Sequence, residues 1–376
     1  MIERFLENII VQKFGKKKAI LILGARQTGK TTLIKKIMNQ SSDSTLILNA
    51  DLPVVQQQLE NPSVNDLKQI FGKAKLVFID EAQRIKNIGI TLKIIIDEIP
   101  DTQLIVTGSS AFELSNNINE PLTGRKFDYR LYPISWLELS NHINYINALS
   151  QLQQRIIFGM YPDVINNVGN EKEILANLSE SYLYKDIIAF QQIRRPEFVQ
   201  KLLQALAFQV GSEVSYNEIS NLLQIDRKTV IHYVDLLEKA FVIFRLPSFS
   251  RNLRNELSSK IKIYFCDTGI RNALIGDFRP FEMRNDKGAL WENFLISERI
   301  KANHYNAKFV NVYFWKTHQK QEIDYIEESD GEIVAFEFKW KEKSGFKIPK
   351  TFSKTYKNSS SKLISSENFH QFLSNE

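Results

Sequence analysis

A glycine-bracketed motif near the start of the chain has the residue types of a phosphate-binding loop. Residues 24–31, GARQTGKT, match the pattern GxxxxGK followed by serine or threonine. Backbone N–H groups of such a loop wrap the phosphates, the lysine reaches the β and γ phosphates, and the hydroxyl binds Mg²⁺. A chance glycine turn is the alternative, but the motif follows a predicted strand and opens a predicted helix, as it must. The residues expected at the nucleotide are Gly24, Arg26, Gln27, Thr28, Gly29, Lys30, Thr31 and Thr32.

An acidic pair further along the chain complements this loop. Residues 76–81, LVFIDE, read as a buried strand that ends in Asp80 and Glu81. In phosphate-loop ATPases an aspartate at this position helps to hold Mg²⁺, so we assign Thr31 and Asp80 to the metal. An adjacent glutamate can orient and deprotonate the attacking water, the role we assign to Glu81. The alternative is a strand end that meets solvent with acids. Loop and acids together predict binding and hydrolysis of ATP with Mg²⁺.

Two more polar residues are candidates for the same site. Ser109 follows a buried strand, and ligands of α/β sheets bind at the carboxyl ends of strands, so its hydroxyl is a candidate sensor of the γ-phosphate. Ser109 would serve equally as the N-cap of a helix that begins near Ala111. Arg125 is a candidate arginine finger, from the same or a neighbouring subunit, and an ordinary surface arginine is equally compatible.

A second set of charged residues lies near the C-terminus. Asp324 sits in one predicted strand, and Glu337 and Lys339 share a face of the next strand because side chains alternate with a period of two. This is the PD-(D/E)XK nuclease pattern, in which the acids hold Mg²⁺ and the lysine positions or activates water. Glu292, on the preceding helix, is a candidate additional ligand. The predicted metal ligands are therefore Glu292, Asp324 and Glu337, with Glu337 and Lys339 as catalytic residues.

Two other interpretations of this C-terminal set stay open. Glu337 and Lys339 could form a solvated ion pair on an edge strand, or the fold could be nuclease-like while its site serves only for binding. No proline precedes Asp324, which departs from the name of the motif.

The elements that position the first site are strands alternating with helices. Their apolar runs are continuous, which predicts a parallel α/β sheet covered on both faces. The predicted strands are Ala19–Leu23, Thr45–Asn49, Leu76–Ile79, Leu104–Thr107 and Lys126–Leu131, and the predicted helices are Lys30–Asn39, Val64–Phe71 and Ile88–Glu98.

From Ser135 onward the sequence no longer alternates strands with helices, and apolar residues recur at helical spacing. Helices are predicted at Trp136–Leu149, Gln151–Phe158, Glu171–Ile188 and Glu197–Phe208. Next, Tyr216–Leu223, a turn at Asp226, Arg227–Lys239 and the strand Val242–Leu246 outline a winged helix-turn-helix. The candidate DNA contacts are Arg227, Lys228, His232, Arg251 and Arg254. A structural connector with solvated charges is the alternative.

The last part of the chain is a further small α/β region. A helix is predicted at Lys287–Lys301, followed by strands at Val312–Trp315, Glu322–Ile326 and Ile333–Trp340, and then by a helix–strand–helix tail. The chain thus divides into an ATPase core (1–134), a helical lid or linker (135–209), a winged-helix-like domain (210–280) and a nuclease-like domain (281–376).

The amino-acid composition excludes several classes of protein and of binding site. Hydrophobic residues make up 43% and charged residues 24% of 376, which is ordinary for a globular protein. A single cysteine, Cys266, permits no internal disulfide or cysteine-cluster metal site and fits a reducing compartment. No apolar run approaches the roughly 18 residues of a membrane span, and no signal peptide is recognisable, so we expect a cytoplasmic protein without a membrane partner. The net charge of +6 is compatible with nucleic-acid binding.

The motifs also resemble a known family. The segments that carry the resemblance are, in chain order, ARQTGKTTL, LVFIDEAQRI, IVTGSSAFEL, PLTGRKFDYRLYPIS, FGMYPDVI, IYFCDTGIRNALIG, KGALWENFLISERI, VYFWKTHQKQEIDYI and IVAFEFKW. They are similar to AAA-type P-loop ATPases of bacteria and archaea that carry a C-terminal domain of unknown function. The resemblance spans nearly the whole chain. It implies an ATPase, a winged-helix-like linker and a restriction-endonuclease-like fold, and it supplies no substrate.

The leading hypothesis is an ATPase that couples nucleotide state to a C-terminal nuclease-like module facing nucleic acid. Its expected ligands are ATP and Mg²⁺, and its candidate partners are DNA or RNA and further copies of the chain. The alternative is a nucleotide-switched regulatory or binding protein with slow hydrolysis and a catalytically inactive C-terminal domain. A metabolic phosphate-loop kinase fits less well, because the pair Asp80 and Glu81 suits hydrolysis.

Overall fold

The computed structural model describes residues 1–109, 121–182, 196–250, 260–317, 319, 321–341 and 348–374. It divides into two compact units. Met1–Ile134 makes up nearly all of the first unit, and the second is built almost entirely from residues that follow Ile134. The helix predicted from Ala111 lies outside the described residues, as do Arg251 and Arg254. Within the described ranges, no helix is both long enough and apolar enough to cross a membrane.

Five parallel strands form the sheet of the first unit. They are β1 (Ala19–Leu23), β2 (Thr45–Asn49), β3 (Leu76–Asp80), β4 (Gln103–Gly108) and β5 (Lys126–Arg130). Their order is β2-β3-β4-β1-β5, and every neighbouring pair is parallel. All of β3 is buried, whereas the edge strand β2 leaves Ile47 45% exposed. The prediction that both faces of the sheet are covered therefore holds for the interior strands. It is wrong for the edge strand β2.

Among the described residues, five helices accompany this sheet. They are α1 (Phe5–Val11), α2 (Lys30–Gln40), α3 (Pro53–Leu59), α4 (Val64–Phe71) and α5 (Ile88–Glu98), with a 3₁₀ turn at Ala82–Arg84. Ser63 and Asp66 form a capping box that starts α4, because each side chain binds the backbone N–H of the other. Leu92 and Ile95 of α5 belong to the same core cluster as Val77 of β3.

The second unit begins with short helices. They are α6 (Trp136–Ile143), α7 (Tyr145–Ser150), α8 (Leu152–Phe158), α9 (Pro162–Asn166), α10 (Glu171–Asn177), a π-helical turn (Leu178–Tyr182) and α11 (Pro196–Phe208). The single helix predicted at Trp136–Leu149 is wrong. Asn144 has a positive φ of 64° and its side chain accepts a hydrogen bond from the Asn147 N–H at 3.0 Å, which ends α6 and caps α7.

A helix pair with a small sheet follows. The elements are β6 (Glu213–Val214), α12 (Tyr216–Leu223), α13 (Arg227–Lys239), β7 (Ile243–Pro247) and β8 (Ile261–Phe265), and the antiparallel sheet has the order β6-β8-β7. Asp226 accepts a hydrogen bond from the Lys228 N–H at 2.7 Å, so it caps α13. Asp267 likewise accepts from the Ile270 N–H at 3.2 Å and caps α14 (Thr268–Leu274).

The C-terminal part is a mixed sheet with helices. Its elements are a 3₁₀ turn (Phe281–Met283), α15 (Lys287–Tyr305), β9 (Asn311–Lys316), β10 (Glu322–Ser329), β11 (Glu332–Phe338), α16 (Lys350–Thr355), β12 (Ser359–Ile364) and α17 (Phe369–Ser374). The sheet order is β12-β11-β10-β9; β9 to β11 pair antiparallel, and β12 joins β11 in parallel. The predicted class is confirmed: a parallel α/β sheet, then helices, then a small C-terminal α/β domain.

Candidate active site

The glycine-bracketed loop is shaped by two close backbone constraints. A Cβ on Gly24 would lie 2.2 Å from the Leu131 carbonyl oxygen, so no other residue fits there. Gly29 has a φ of +94° immediately before α2 begins, a conformation that glycine adopts without strain. The Lys30 ammonium is buried and donates to the carbonyl oxygens of Gly24 (2.8 Å) and Ala25 (2.9 Å). The loop and its lysine therefore form one compact structure at the end of β1.

Thr31, in the first turn of α2, meets Asp80 at the carboxyl end of β3. The Thr31 hydroxyl donates to Asp80 Oδ2 at 2.8 Å, and the Thr107 hydroxyl, from β4 between β1 and β3, donates to Asp80 Oδ1. An aspartate and a hydroxyl are the oxygen ligands that Mg²⁺ prefers. Both donors to Asp80 are neutral hydroxyls. These residues fit a magnesium-bound triphosphate.

Glu81 lies at a sharp turn next to this pair. Its φ of 52° opens the 3₁₀ turn Ala82–Arg84, and its N–H donates to the Thr107 hydroxyl at 3.3 Å. The Gln83 side-chain amide donates to Glu81 Oε2 and also to Ser109 Oγ, the latter at 2.9 Å. Ser109 is thus linked to Glu81 through Gln83. We did not predict Gln83 or Thr107, and the only sequence signal was their place beside the acids and the hydroxyl-rich strand end.

A cavity of about 330 Å³ lies over the loop. It is lined by Arg26, Gln27, Gly29, Lys30, Thr31, Thr32, Asp51, Glu81 and Arg84. The predicted Gly24, Thr28, Asp80 and Ser109 are not among these lining residues. Thr28 is buried and its hydroxyl donates to the Ala25 carbonyl at 2.8 Å, so its side chain supports the loop. Asp51 and Arg84, whose charged groups are 3.6 Å apart, were not predicted because neither belongs to a motif.

Arg4 supports the loop from the N-terminus. Its guanidinium is buried and donates to the carbonyl oxygens of Thr28 (2.8 Å) and Tyr132 (2.6 Å). It therefore joins the loop to the end of the sheet. Nothing in the sequence around Arg4 indicates this, because its partners are distant in the chain.

Arg125 lies at the amino ends of the strands, opposite the end that carries the phosphate-binding loop. Its carbonyl oxygen accepts from the N–H of Ala19, the first residue of β1, whereas the loop follows Leu23, the last. A five-residue parallel strand spans about 16 Å, which separates Arg125 from the phosphate site of its own chain. Its guanidinium binds Asp97 at 2.8 Å instead. The same-subunit arginine finger is therefore wrong, and a role in a neighbouring copy stays a prediction.

The C-terminal charged residues meet on adjacent strands. The sheet irregularity between Ile323 and Ile326 contains Asp324, whose Oδ2 accepts from the Phe338 N–H at 2.8 Å. Glu337 binds the Lys339 ammonium at 2.7 Å. The ion pair is thus present, but β11 lies between β10 and β12, so the edge-strand interpretation is wrong.

Glu292 has partners that we did not predict. The ammonium of Lys262, from β8, lies 3.0 Å from Glu292 and 2.7 Å from Glu322, and the Tyr264 hydroxyl donates to Glu292. Lys262 is 1% exposed. Burial, and then the nearby Asp324 carboxylate, raise the pKa of Glu292 to about 7. A lysine inside the otherwise apolar strand IKIYF was the available signal.

The role of Glu292, Asp324 and Glu337 as metal ligands stays a prediction. In the part of the chain that the structure describes, no group of three or more histidine, cysteine, aspartate and glutamate side chains is placed to hold a metal ion. The physical reason at Glu292 is its engagement by Lys262 and Tyr264. Burial also raises the pKa values of Asp324 and Glu337, and the Asp324 charge raises that of Glu337 further.

The candidate nucleic-acid residues of α13 are accessible. Arg227, Lys228 and His232 are all exposed near the start of this helix. Their placement agrees with a contact surface and does not by itself distinguish one from solvated charges.

Comparisons with known protein families agree with the first site. Residues 16–140 match the family model described as AAA domain. This region is similar to AAA domains, and we call it the AAA domain below. Beyond this AAA domain, residues 149–280 and 287–372 each match a model described as a domain of unknown function.

Relatives and one solved structure extend the likeness beyond the AAA domain. An uncharacterised protein of Mycobacterium tuberculosis is 28% identical over 326 residues, which cover 85% of this chain and 70% of the relative. One of Methanocaldococcus jannaschii is 25% identical over 334 residues, covering 82% and 72%. The Walker-type ATPase of Pyrococcus abyssi superposes with a TM-score of 0.53 at 15% identity, over 73% of this chain and 96% of that one. This last likeness shows a shared fold.

Proposed function

We propose that this chain hydrolyses ATP with Mg²⁺ in its AAA domain and couples nucleotide state to a C-terminal nuclease-like module that faces nucleic acid. The observation that carries the first half is the 2.8 Å contact between Thr31 and Asp80, beside a buried Lys30 held in the glycine-bracketed loop. Lys30 and Thr31 line one small cavity at a helix N-terminus, and Asp80 contacts Thr31, so a cation and two oxygen ligands lie close together. That combination suits a magnesium-bound triphosphate.

Each residue has one role in this mechanism. Lys30 binds the β and γ phosphates, and the loop N–H groups, including that of Gly29, bind the phosphate oxygens. Thr31 and Asp80 hold the metal, which when bound neutralises phosphate charge. Glu81 orients the attacking water and accepts its proton. In an assembly of several copies, Arg125 of one copy would complete the site of the next.

The second half concerns the remaining domains, divided at 135–209, 210–280 and 281–376. The pair α12 and α13, flanked by the strands β6, β7 and β8 of one antiparallel sheet, supports a winged helix, with Arg227 and Lys228 toward nucleic acid. Asp324, Glu337 and Lys339 on adjacent strands support a nuclease-like fold.

A regulatory or binding role for an inactive C-terminal domain is the second candidate. It is favoured by the ammonium groups that already bind the acids: Lys262 at Glu292 and Lys339 at Glu337. Incubating the wild type and Asp324→Ala with DNA and RNA in Mg²⁺ or Mn²⁺ separates the two candidates. Products made by the wild type and lost in the variant would establish the nuclease; equal products, or none from either, would support the second candidate.

Phosphate release from ATP tests the first half directly. The Lys30→Ala variant is expected to lose at least about 100-fold in turnover, because the charge that binds the phosphates is removed. Lys35→Ala is the matched control, since Lys35 is an exposed lysine of the same helix. Equal turnover in wild type and Lys30→Ala would place ATP hydrolysis elsewhere.

A further inference from the structure

We propose that Gln83 is a positioning residue that holds the Glu81 carboxylate and connects it to Ser109. The inference rests on the proposed ATPase function and deepens it. Gln83 does not line the phosphate cavity, yet its side-chain nitrogen contacts both Glu81 Oε2 and Ser109 Oγ. It therefore contacts the proposed base from outside the cavity lining.

The orientation of the Gln83 amide is fixed by chemistry. A carboxylate only accepts hydrogen bonds, so the NH₂ end of the amide must face Glu81. The same NH₂ group has a second hydrogen, which it donates to Ser109. The opposite end, Oε1, is buried and has no hydrogen-bond partner. A buried acceptor without a partner is unfavourable, so the NH₂ contacts determine how this side chain is placed.

Ser109 lies level with the start of the phosphate-binding loop. Gly108 pairs with Leu23 in the register of β4 and β1, which puts Ser109 level with Gly24, the first residue of the loop. Ser109 is buried, and its hydroxyl accepts from Gln83. A hydroxyl has one hydrogen to donate, and that hydrogen remains for an acceptor on the loop side.

Glu81 is held from both ends by this arrangement. Its backbone N–H is bound by Thr107, and its carboxylate is bound by Gln83 across the 3₁₀ turn. Thr107 also binds Asp80, so the backbone anchor is shared with the proposed metal ligand. The Gln83 contact is what selects the direction of the carboxylate, and a general base must point at its proton within hydrogen-bond distance.

The test uses Gln83→Met, which keeps the volume of the side chain and removes its amide. We expect kcat for ATP to fall by about 10- to 100-fold, because misplacing a catalytic group costs on that order. Affinity for a fluorescent mant-ATP is expected to change by less than about 3-fold, since Gln83 lies outside the cavity lining. Ser109→Ala combined with Gln83→Met should be no slower than Gln83→Met alone, because both changes break one connection.

The controls separate this inference from the proposed function. Gln57→Met changes an exposed glutamine of α3 and should leave kcat and mant-ATP affinity as in the wild type. Absence of turnover in the wild type would defeat the proposed ATPase and this inference together. Wild-type turnover with an unchanged or raised kcat in Gln83→Met would overturn the inference alone, as would an equal loss of mant-ATP affinity or fully additive effects of the two substitutions.

Discussion

The AAA domain and the C-terminal domain both place acids beside a lysine, but they bind those acids differently. Asp80 accepts hydrogen bonds from two threonine hydroxyls, and Glu81 from an amide, all of them neutral donors. Glu292 and Glu337 bind the ammonium groups of Lys262 and Lys339. The hydrogen-bond donors of the first pair carry no charge, whereas Glu292 and Glu337 are each paired with a positive charge. The first region is therefore suited to a metal, and the second is largely compensated without one.

Removing the charge of Asp80 should have the largest effect, because it tests whether the AAA domain holds a metal at this residue. Asp80→Asn is expected to lower ATP turnover by about 100- to 1000-fold, because the side chain keeps its shape but loses the charge that holds Mg²⁺. Phosphate release at saturating Mg²⁺ measures this. Asp43→Asn, an exposed acid in the loop before β2, should behave as wild type. Full activity in Asp80→Asn would show that the metal is held elsewhere.

Removing Lys262 should show how much its positive charge stabilises the C-terminal domain. Lys262→Met leaves Glu292 and Glu322 without their buried cation, which is expected to cost about 3 kcal/mol of stability. All four tryptophans lie beyond residue 134, so tryptophan fluorescence during urea unfolding follows the second unit alone.

The matched control is Lys260→Met on the same sheet. Lys260 binds Glu213 at 2.7 Å, but its side chain is 63% exposed, so the loss should stay below about 1 kcal/mol. Similar losses in the two variants would contradict the special role of the buried lysine.

The pKa of Glu292 makes the same region sensitive to pH. Since this pKa is raised from 4.5 to about 7, the folded state binds the proton more tightly than the unfolded state does. The resulting stability is fully present below the unfolded pKa and is lost as pH rises through the folded pKa. Tryptophan-detected unfolding of the wild type should lose on the order of 2 kcal/mol between about pH 5.5 and 7.5, relative to Glu292→Gln. Parallel curves for the two proteins would reject the raised pKa.

Arg125 should have the smallest effect when the chain is diluted to single copies. Its distance from the loop predicts that Arg125→Ala changes ATP turnover by less than about 2-fold under those conditions. A loss that appears only as protein concentration rises would support a finger from a neighbouring copy. Turnover per chain measured over a dilution series distinguishes the two.

The sequence predicted those parts of the molecule whose information is local. The loop motif, the strand that ends in Asp80 and the parallel sheet follow from residue patterns a few positions long. Gln83 was missed although it lies two residues after Glu81, because its function depends on the distant Ser109. Lys262 and Arg4 were missed for the same reason, since their partners are brought near only by the fold.

The same limit explains the errors. The helix over Trp136–Leu149 has continuous apolar periodicity, yet the positive φ of Asn144 interrupts it. The motif around Arg125 does not show whether this residue lies at the amino or the carboxyl ends of the strands. That position follows only from the register of β5 with β1.

Calorimetric titration of the chain with ATP in the presence of Mg²⁺ is the most direct test of the account. Lys30, Thr31 and Asp80 should give saturable binding of one nucleotide per chain, which disappears in Lys30→Ala and persists in Lys35→Ala. No heat of binding in the wild type, or unchanged binding in Lys30→Ala, would contradict the claim that these three residues capture the nucleotide.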